Sequence, residues 1–319
     1  MDYFFFVKNF VDEAADNARI AGKTIDTDTV AKEFQRTLKN AFTDAQFSVL
    51  LMTTGFIPDL YANDSSEETL YSKLVEVLVC EWADRMGFSG EYVKQKASFE
   101  DVTIRLESSV IVCDAKSFRL GRSQAAPNVK DFLKLEDIRK WLARHPNKLG
   151  GLVAYPDTHE WATSSDAYQY CSTKDAPTVM LPYKYLALLL NFKEDYDTSN
   201  LRKLWDYERI FPEPLKKTMA GGNKKQYWEA INREIVSITR IRPKDFEDFL
   251  YCADMKINEC VKANLQLLID KRNELVKTIR QEVDSLDAAQ LRESLSEFRI
   301  KSETKIIDSL IGRIQEFRL

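Results

Sequence analysis

The stretch Ser109-Val-Ile-Val-Cys-Asp-Ala-Lys116 constrains the fold more than any other part of the chain. Four consecutive apolar residues, three of them β-branched, favour a strand covered on both faces. Such a strand needs a sheet with other elements packed on each side. The run ends in Asp114 and Lys116, which share one face because successive strand side chains alternate. A carboxylate beside an ammonium at the open end of a buried strand suits phosphodiester hydrolysis. The carboxylate binds a hard cation such as Mg²⁺ through oxygen. The lysine orients or helps deprotonate an attacking water and offsets phosphate charge. The same spacing recurs at Asp254/Lys256 and Glu303/Lys305, but in helical stretches, where residues two apart point different ways.

The neighbouring sequence supplies the rest of a sheet. Residues 99–106 alternate, with Val102, Ile104 and Leu106 on one side, and predict a second strand joined to the first by a hairpin. With a turn at Glu107–Ser109, Leu106 pairs with Val110 and Asp101 falls opposite Ala115. A turn of two or four residues, or a bulge, sets Asp101 opposite Asp114 or Lys116 instead. A metal site made from Asp101 and Asp114 requires that second register. Glu76 is a candidate third carboxylate, on a helix marked by Leu70, Leu74, Val77, Leu78 and Trp82. Mg²⁺ keeps several waters, so two or three carboxylates suffice.

Residues 1–60 read as helical, a helix is predicted over Asp131–Arg144, and strands over Leu149–Tyr155 and Thr178–Leu181. A helix follows around Tyr185–Leu190. From Phe246 onward the pattern is nearly all helical, with Leu265, Leu268, Leu275 and Ile279 in one stripe. The order is that of an α/β protein, a central mixed sheet flanked by helices, with helical N- and C-terminal additions. The expected division is 1–66, 67–195 for the core, and 196–319.

The formal net charge is −4, which excludes a uniformly basic nucleic-acid coat but not a local basic face. Residues 115–150 carry nine basic and three acidic side chains. Within them, Arg119, Arg122, Ser123, Gln124, Asn128 and Lys130 are the residue types that bond base edges and phosphates. A second basic stretch runs from Pro214 to Lys244. Five scattered cysteines without a CxxC, and only two histidines, argue against a disulfide framework or a structural zinc site and for a reducing cytoplasm. The first residues lack the basic start and long apolar core of a signal peptide. No apolar run reaches the roughly 18 residues of a membrane span.

The helix with Glu76, the hairpin carrying Asp101 and Asp114-Ala115-Lys116, and the helix and strand after it resemble the PD-(D/E)XK nuclease core. The block VIVCDAKSFRLGRSQAAPNVKDFLKLEDIRKWL, residues 110–142, resembles the HindIII family of type II restriction endonucleases. The similarity continues through NKLGGLVAYPDTHEW and TVMLPYKYLALLL. The resemblance implies a homodimer that binds double-stranded DNA and cuts both strands within a short palindrome, AAGCTT in this family. It implies a bacterial cytoplasmic enzyme paired with a cognate DNA methyltransferase. By the same resemblance Asp101, Asp114 and Ala115 hold Mg²⁺, Lys116 acts on the water, and Glu76 assists. Glu100 stands where the signature has proline, which leaves Glu100 and Asp101 as alternative ligands. The competing readings are a structure-specific or repair nuclease of the same fold, and a helical binding module without enzymatic activity.

Overall fold

The hairpin and the buried strand lie in the middle of one mixed sheet. The computed structural model describes residues 3–92, 99–120, 129–157, 171–220 and 226–315. Among the described residues the strand order is β1 (Ser89–Tyr92), β2 (Val102–Leu106), β3 (Ser109–Ala115), β4 (Lys148–Tyr155) and β5 (Thr178–Pro182). β1, β2 and β3 are antiparallel, and β4 and β5 run parallel to β3. β3 is therefore bonded along both edges, and Val110 to Asp114 are all buried. Its continuous apolar run follows from having both faces covered.

One cover is helix α4 (Ser66–Arg85), which begins where the Ser65 hydroxyl accepts the Glu68 N–H at 3.2 Å. It is buried on nearly every side. The sheet lies against one side of it, and α1 (Phe6–Ile20) and α2 (Thr27–Ala41) pack on it as well. A short α3 (Asp44–Met52) packs against α7 (Tyr183–Asn191). Trp82 on α4 donates its indole N–H to the Leu186 carbonyl of α7 at 2.9 Å. Arg85 ties the N-terminal helices to α4, reaching Glu81, Asp44 and the carbonyls of Leu38 and Phe42.

Strand β1 has no alternating apolar pattern to announce it. It forms because Gly90 lets the chain lie directly on α4. A Cβ there would stand 2.5 Å from the Cys80 carbonyl oxygen.

On the other side of the sheet the single helix predicted over Asp131–Arg144 is two helices, α5 (Val129–Leu133) and α6 (Leu135–Leu142). Lys134 adopts φ +42°, a left-handed conformation that ends the helical path. The break lets Phe132 approach the end of β3 while Ile138 packs on Gly151 of β4.

The chain forms two compact units, residues 1–264 and 265–319. The long helices α8 (Pro243–Asp284) and α9 (Ala288–Gln315) account for the helical C-terminal pattern. In the second unit Leu265, Ile269, Leu275 and Ile279 are exposed. Among the described residues no helix is long and apolar enough to cross a membrane.

Four of the five cysteines are buried, and Cys252 is exposed. Burial pushes the Cys80 and Cys171 thiols up to about 12. Labelling the native protein with a thiol reagent near neutral pH is expected to modify Cys252 alone. The other four should react only in denaturant. Rapid labelling of a second cysteine in the native state would contradict this packing.

Candidate active site

The site is built at the end of β3. The β2–β3 register runs from Leu106↔Ser109 to Val102↔Cys113. The hairpin turn is therefore two residues, Glu107 and Ser108, rather than three, and Glu107 takes φ +52° to close it. Beyond the ladder the Asp101 N–H donates to the Cys113 carbonyl at 3.0 Å. The Asp101 carboxylate accepts the Ala115 N–H at 2.9 Å. It thus rests on the peptide bond between Asp114 and Ala115.

Asp114 is only 6% exposed, and the Lys116 ammonium lies 2.6 Å from its Oδ2. Asp114 pairs with Val153 of β4, and the Lys116 N–H continues the parallel ladder to the Ala154 carbonyl at 2.8 Å. The ammonium also lies 5.9 Å from the centre of the Phe132 ring.

The two acids at 100 and 101 behave differently. Glu100 is buried, and its Oε1 is engaged by the Thr103 hydroxyl at 2.9 Å and His145 Nε2 at 2.7 Å. The Arg144 guanidinium stacks over Phe99 at 4.0 Å beside it. Glu100 thus fastens the start of β2 to the end of α6, while Asp101 is the acid that reaches β3.

Glu76 is buried on α4 and forms a 2.7 Å ion pair with Lys73, one turn earlier and equally buried. Lys73 in turn stands over the Tyr92 ring at 4.9 Å. Sequence reasoning passed over Lys73, although its i,i+3 spacing from Glu76 was a readable signal. The carboxylates of Glu76, Asp101 and Asp114 all bear on the Cys113 thiol. Burial first, then these charges, hold its pKa well above the ordinary range.

Two oxygen-only donors, Asp101 just before β2 and the almost fully buried Asp114 in β3, fit a hard cation better than a soft one. Among the described residues no group of three or more His, Cys, Asp and Glu side chains converges closely enough to hold a metal. Asp101 and Asp114 would therefore share the ion with water and substrate oxygens, which Mg²⁺ accepts.

Arg119 is a correction. Its sequence context predicts a DNA contact, but the side chain is 5% exposed and turned inward. Its guanidinium bonds Glu68 at 3.0 and 3.1 Å and the carbonyls of Pro58, Tyr61 and Ala62 at 2.8–3.2 Å. It braces the loop before α4. Arg122, Ser123, Gln124 and Asn128 lie outside the described residues, as do Gly221–Lys225 of the second basic stretch. Lys130 falls in α5, its side chain outside the described set.

An acid pair and a lysine gathered at the end of a buried strand are the equipment of a nuclease. The chain belongs to the HindIII restriction endonuclease family, whose model it matches over residues 11–310. Membership makes it a type II site-specific deoxyribonuclease acting on DNA. It is similar to the type II restriction enzyme HindIII of Haemophilus influenzae. The two are 22% identical over 272 residues, covering 83% of this chain and 84% of that enzyme.

Proposed function

We propose that this enzyme hydrolyses both strands of a short palindromic duplex site in a Mg²⁺-dependent reaction, with residues 67–195 as a PD-(D/E)XK core. The observation that carries the reading is the Asp114–Lys116 pair, 2.6 Å apart, with the Asp101 carboxylate on the adjoining peptide. Asp101 and Asp114 hold the cation, Ala115 lies between the two acidic contacts, and Glu76 assists from α4. When bound, the cation supplies Lewis-acid stabilisation of charge on the phosphoryl oxygens. Lys116 exchanges its bond to Asp114 for one to the attacking water or the phosphate, orienting the first and offsetting the second. The water oxygen–phosphorus bond forms in line as the phosphorus–O3′ bond breaks, which leaves a 5′-phosphate and a 3′-hydroxyl. The water's proton passes to solvent or a nearby base, and the departing O3′ takes up a proton.

The enzyme works as a homodimer, since a two-fold site calls for two-fold symmetry and one strand per active site. The exposed apolar residues of α8 in the second unit are candidates for that interface. By the family resemblance of residues 110–142 the site read is AAGCTT, with Arg122, Ser123, Gln124, Asn128 and Lys130 as the contact residues. The enzyme resides in the bacterial cytoplasm alongside a DNA methyltransferase that protects the host's sites.

Digestion of a plasmid of known sequence, with Mg²⁺ and with EDTA, tests the reading. Discrete Mg²⁺-dependent fragments with 5′-phosphate ends mapping to one palindrome are expected. A smear, cutting confined to branched DNA, or cutting in EDTA would overturn it.

A further inference from the structure

The first residue of α7 touches the catalytic strand from behind. Tyr183 follows Pro182 at the end of β5 and is fully buried. Its hydroxyl donates to the main-chain carbonyl of Lys116 at 2.8 Å. A buried tyrosine hydroxyl needs a partner, and many carbonyls could serve. Here the partner is the residue that carries the catalytic ammonium.

The surroundings fix the aim of that hydroxyl. Gly55 lies against the tyrosine ring at φ +89°, and a Cβ there would overlap Pro156 and stand 2.9 Å from Tyr183 Cε2. The Gly55 carbonyl accepts the Phe118 N–H at 3.0 Å, and the Phe118 carbonyl accepts the Ile57 N–H at 3.0 Å. The chain is thus clamped two residues beyond Lys116. At Lys116 itself the N–H goes to Ala154 and the carbonyl to Tyr183, each at 2.8 Å. Both backbone groups of the lysine are taken, so its ammonium swings from a fixed point.

We infer that Tyr183 is a positioning residue for Lys116, holding the lysine backbone so that its ammonium meets Asp114 and the scissile phosphate. The inference rests on the nuclease reading above. Without the hydroxyl the Lys116 carbonyl loses its partner and the strand end relaxes. An ångström of displacement at a reacting group costs of the order of 10²-fold in rate.

Single-turnover cleavage of the mapped plasmid by wild type, Tyr183→Phe and Lys116→Ala tests this, with DNA affinity measured in EDTA and thermal melting of each protein. The Phe ring fills the same space. Tyr183→Phe is expected to cut about tenfold or more slowly, with unchanged DNA affinity. If it melts earlier, rates are compared at equal distances below each melting temperature, which separates loss of fold from misplacement. Wild-type cleavage by Tyr183→Phe, or a slower rate matched by an equal loss of DNA affinity, overturns the positioning role. A Lys116→Ala protein that cuts at the wild-type rate overturns the nuclease mechanism and the tyrosine's role with it. A slow Lys116→Ala beside a fast Tyr183→Phe overturns the tyrosine's role alone.

Discussion

Asp114→Ala is expected to abolish DNA cleavage while DNA binding survives or tightens. The carboxylate is nearly inaccessible, sits at the end of the central strand and has the Lys116 ammonium at 2.6 Å. On the proposed mechanism its loss removes a cation ligand, and it also removes the partner that holds the lysine in place. Loss of one preorganised charge-stabilising group typically costs 10²–10³-fold, so about 10³-fold or more is expected here. The fold should survive, because the Lys116 side chain is 19% exposed and its freed ammonium can take up water. Binding should not suffer, because a carboxylate facing a phosphate repels it in the absence of metal. Asp114→Asn keeps the shape and should be equally inactive. A gel shift in EDTA beside a plasmid digest in Mg²⁺ measures both quantities. Wild-type cutting by either variant would refute the assignment of Asp114.

The largest loss of stability is expected from Arg119→Ala. This guanidinium serves Glu68 and three carbonyls spread over residues 58–62. Its removal takes the guanidinium from the partly buried Glu68 and one donor from each carbonyl, and Pro58 and Ala62 keep only a backbone N–H apiece. Breaking a buried ion pair on one side typically costs 3–5 kcal/mol, and about that much is expected here. Arg119→Lys should recover little, because one ammonium cannot reach partners that the planar fork spans. Urea unfolding gives the loss directly. An Arg119 that gripped DNA instead would show wild-type unfolding and weaker, less salt-sensitive binding when replaced.

This contrast shows where sequence reasoning reached and where it stopped. Strands β2 to β5 and helix α4 were legible because burial leaves a period in the residues themselves. Alternation marked β2, a continuous apolar run marked β3, and helical spacing marked α4. Asp114 and Lys116 stood out for the same reason, as charges where an apolar strand ended. The hairpin register was ambiguous because Glu107 carries no turn signature, yet it takes the positive φ that shortens the turn. Arg119 looked like a DNA contact because it begins a polar, basic loop. Its partner Glu68 lies 51 positions earlier, and no local pattern reports such a distance. The contact between Tyr183 and Lys116 spans 67 positions and was equally invisible. Tyr183 falls between the strand predicted over Thr178–Leu181 and the helix around Tyr185–Leu190, with no sequence signal of its own.

The place of β3 in the sheet has a consequence for how the enzyme ages and fails. Fraying begins at sheet edges, and among the described residues β1 and β5 are the edges. Asp114 rides on the strand farthest from either edge, with hydrogen-bonded neighbours on both sides, and Lys116 directly follows that strand. Partial opening from either edge must undo a flanking strand before it reaches Asp114. Inactivation by heat or denaturant should therefore follow global unfolding, and a molecule that retains its sheet should retain its cutting geometry.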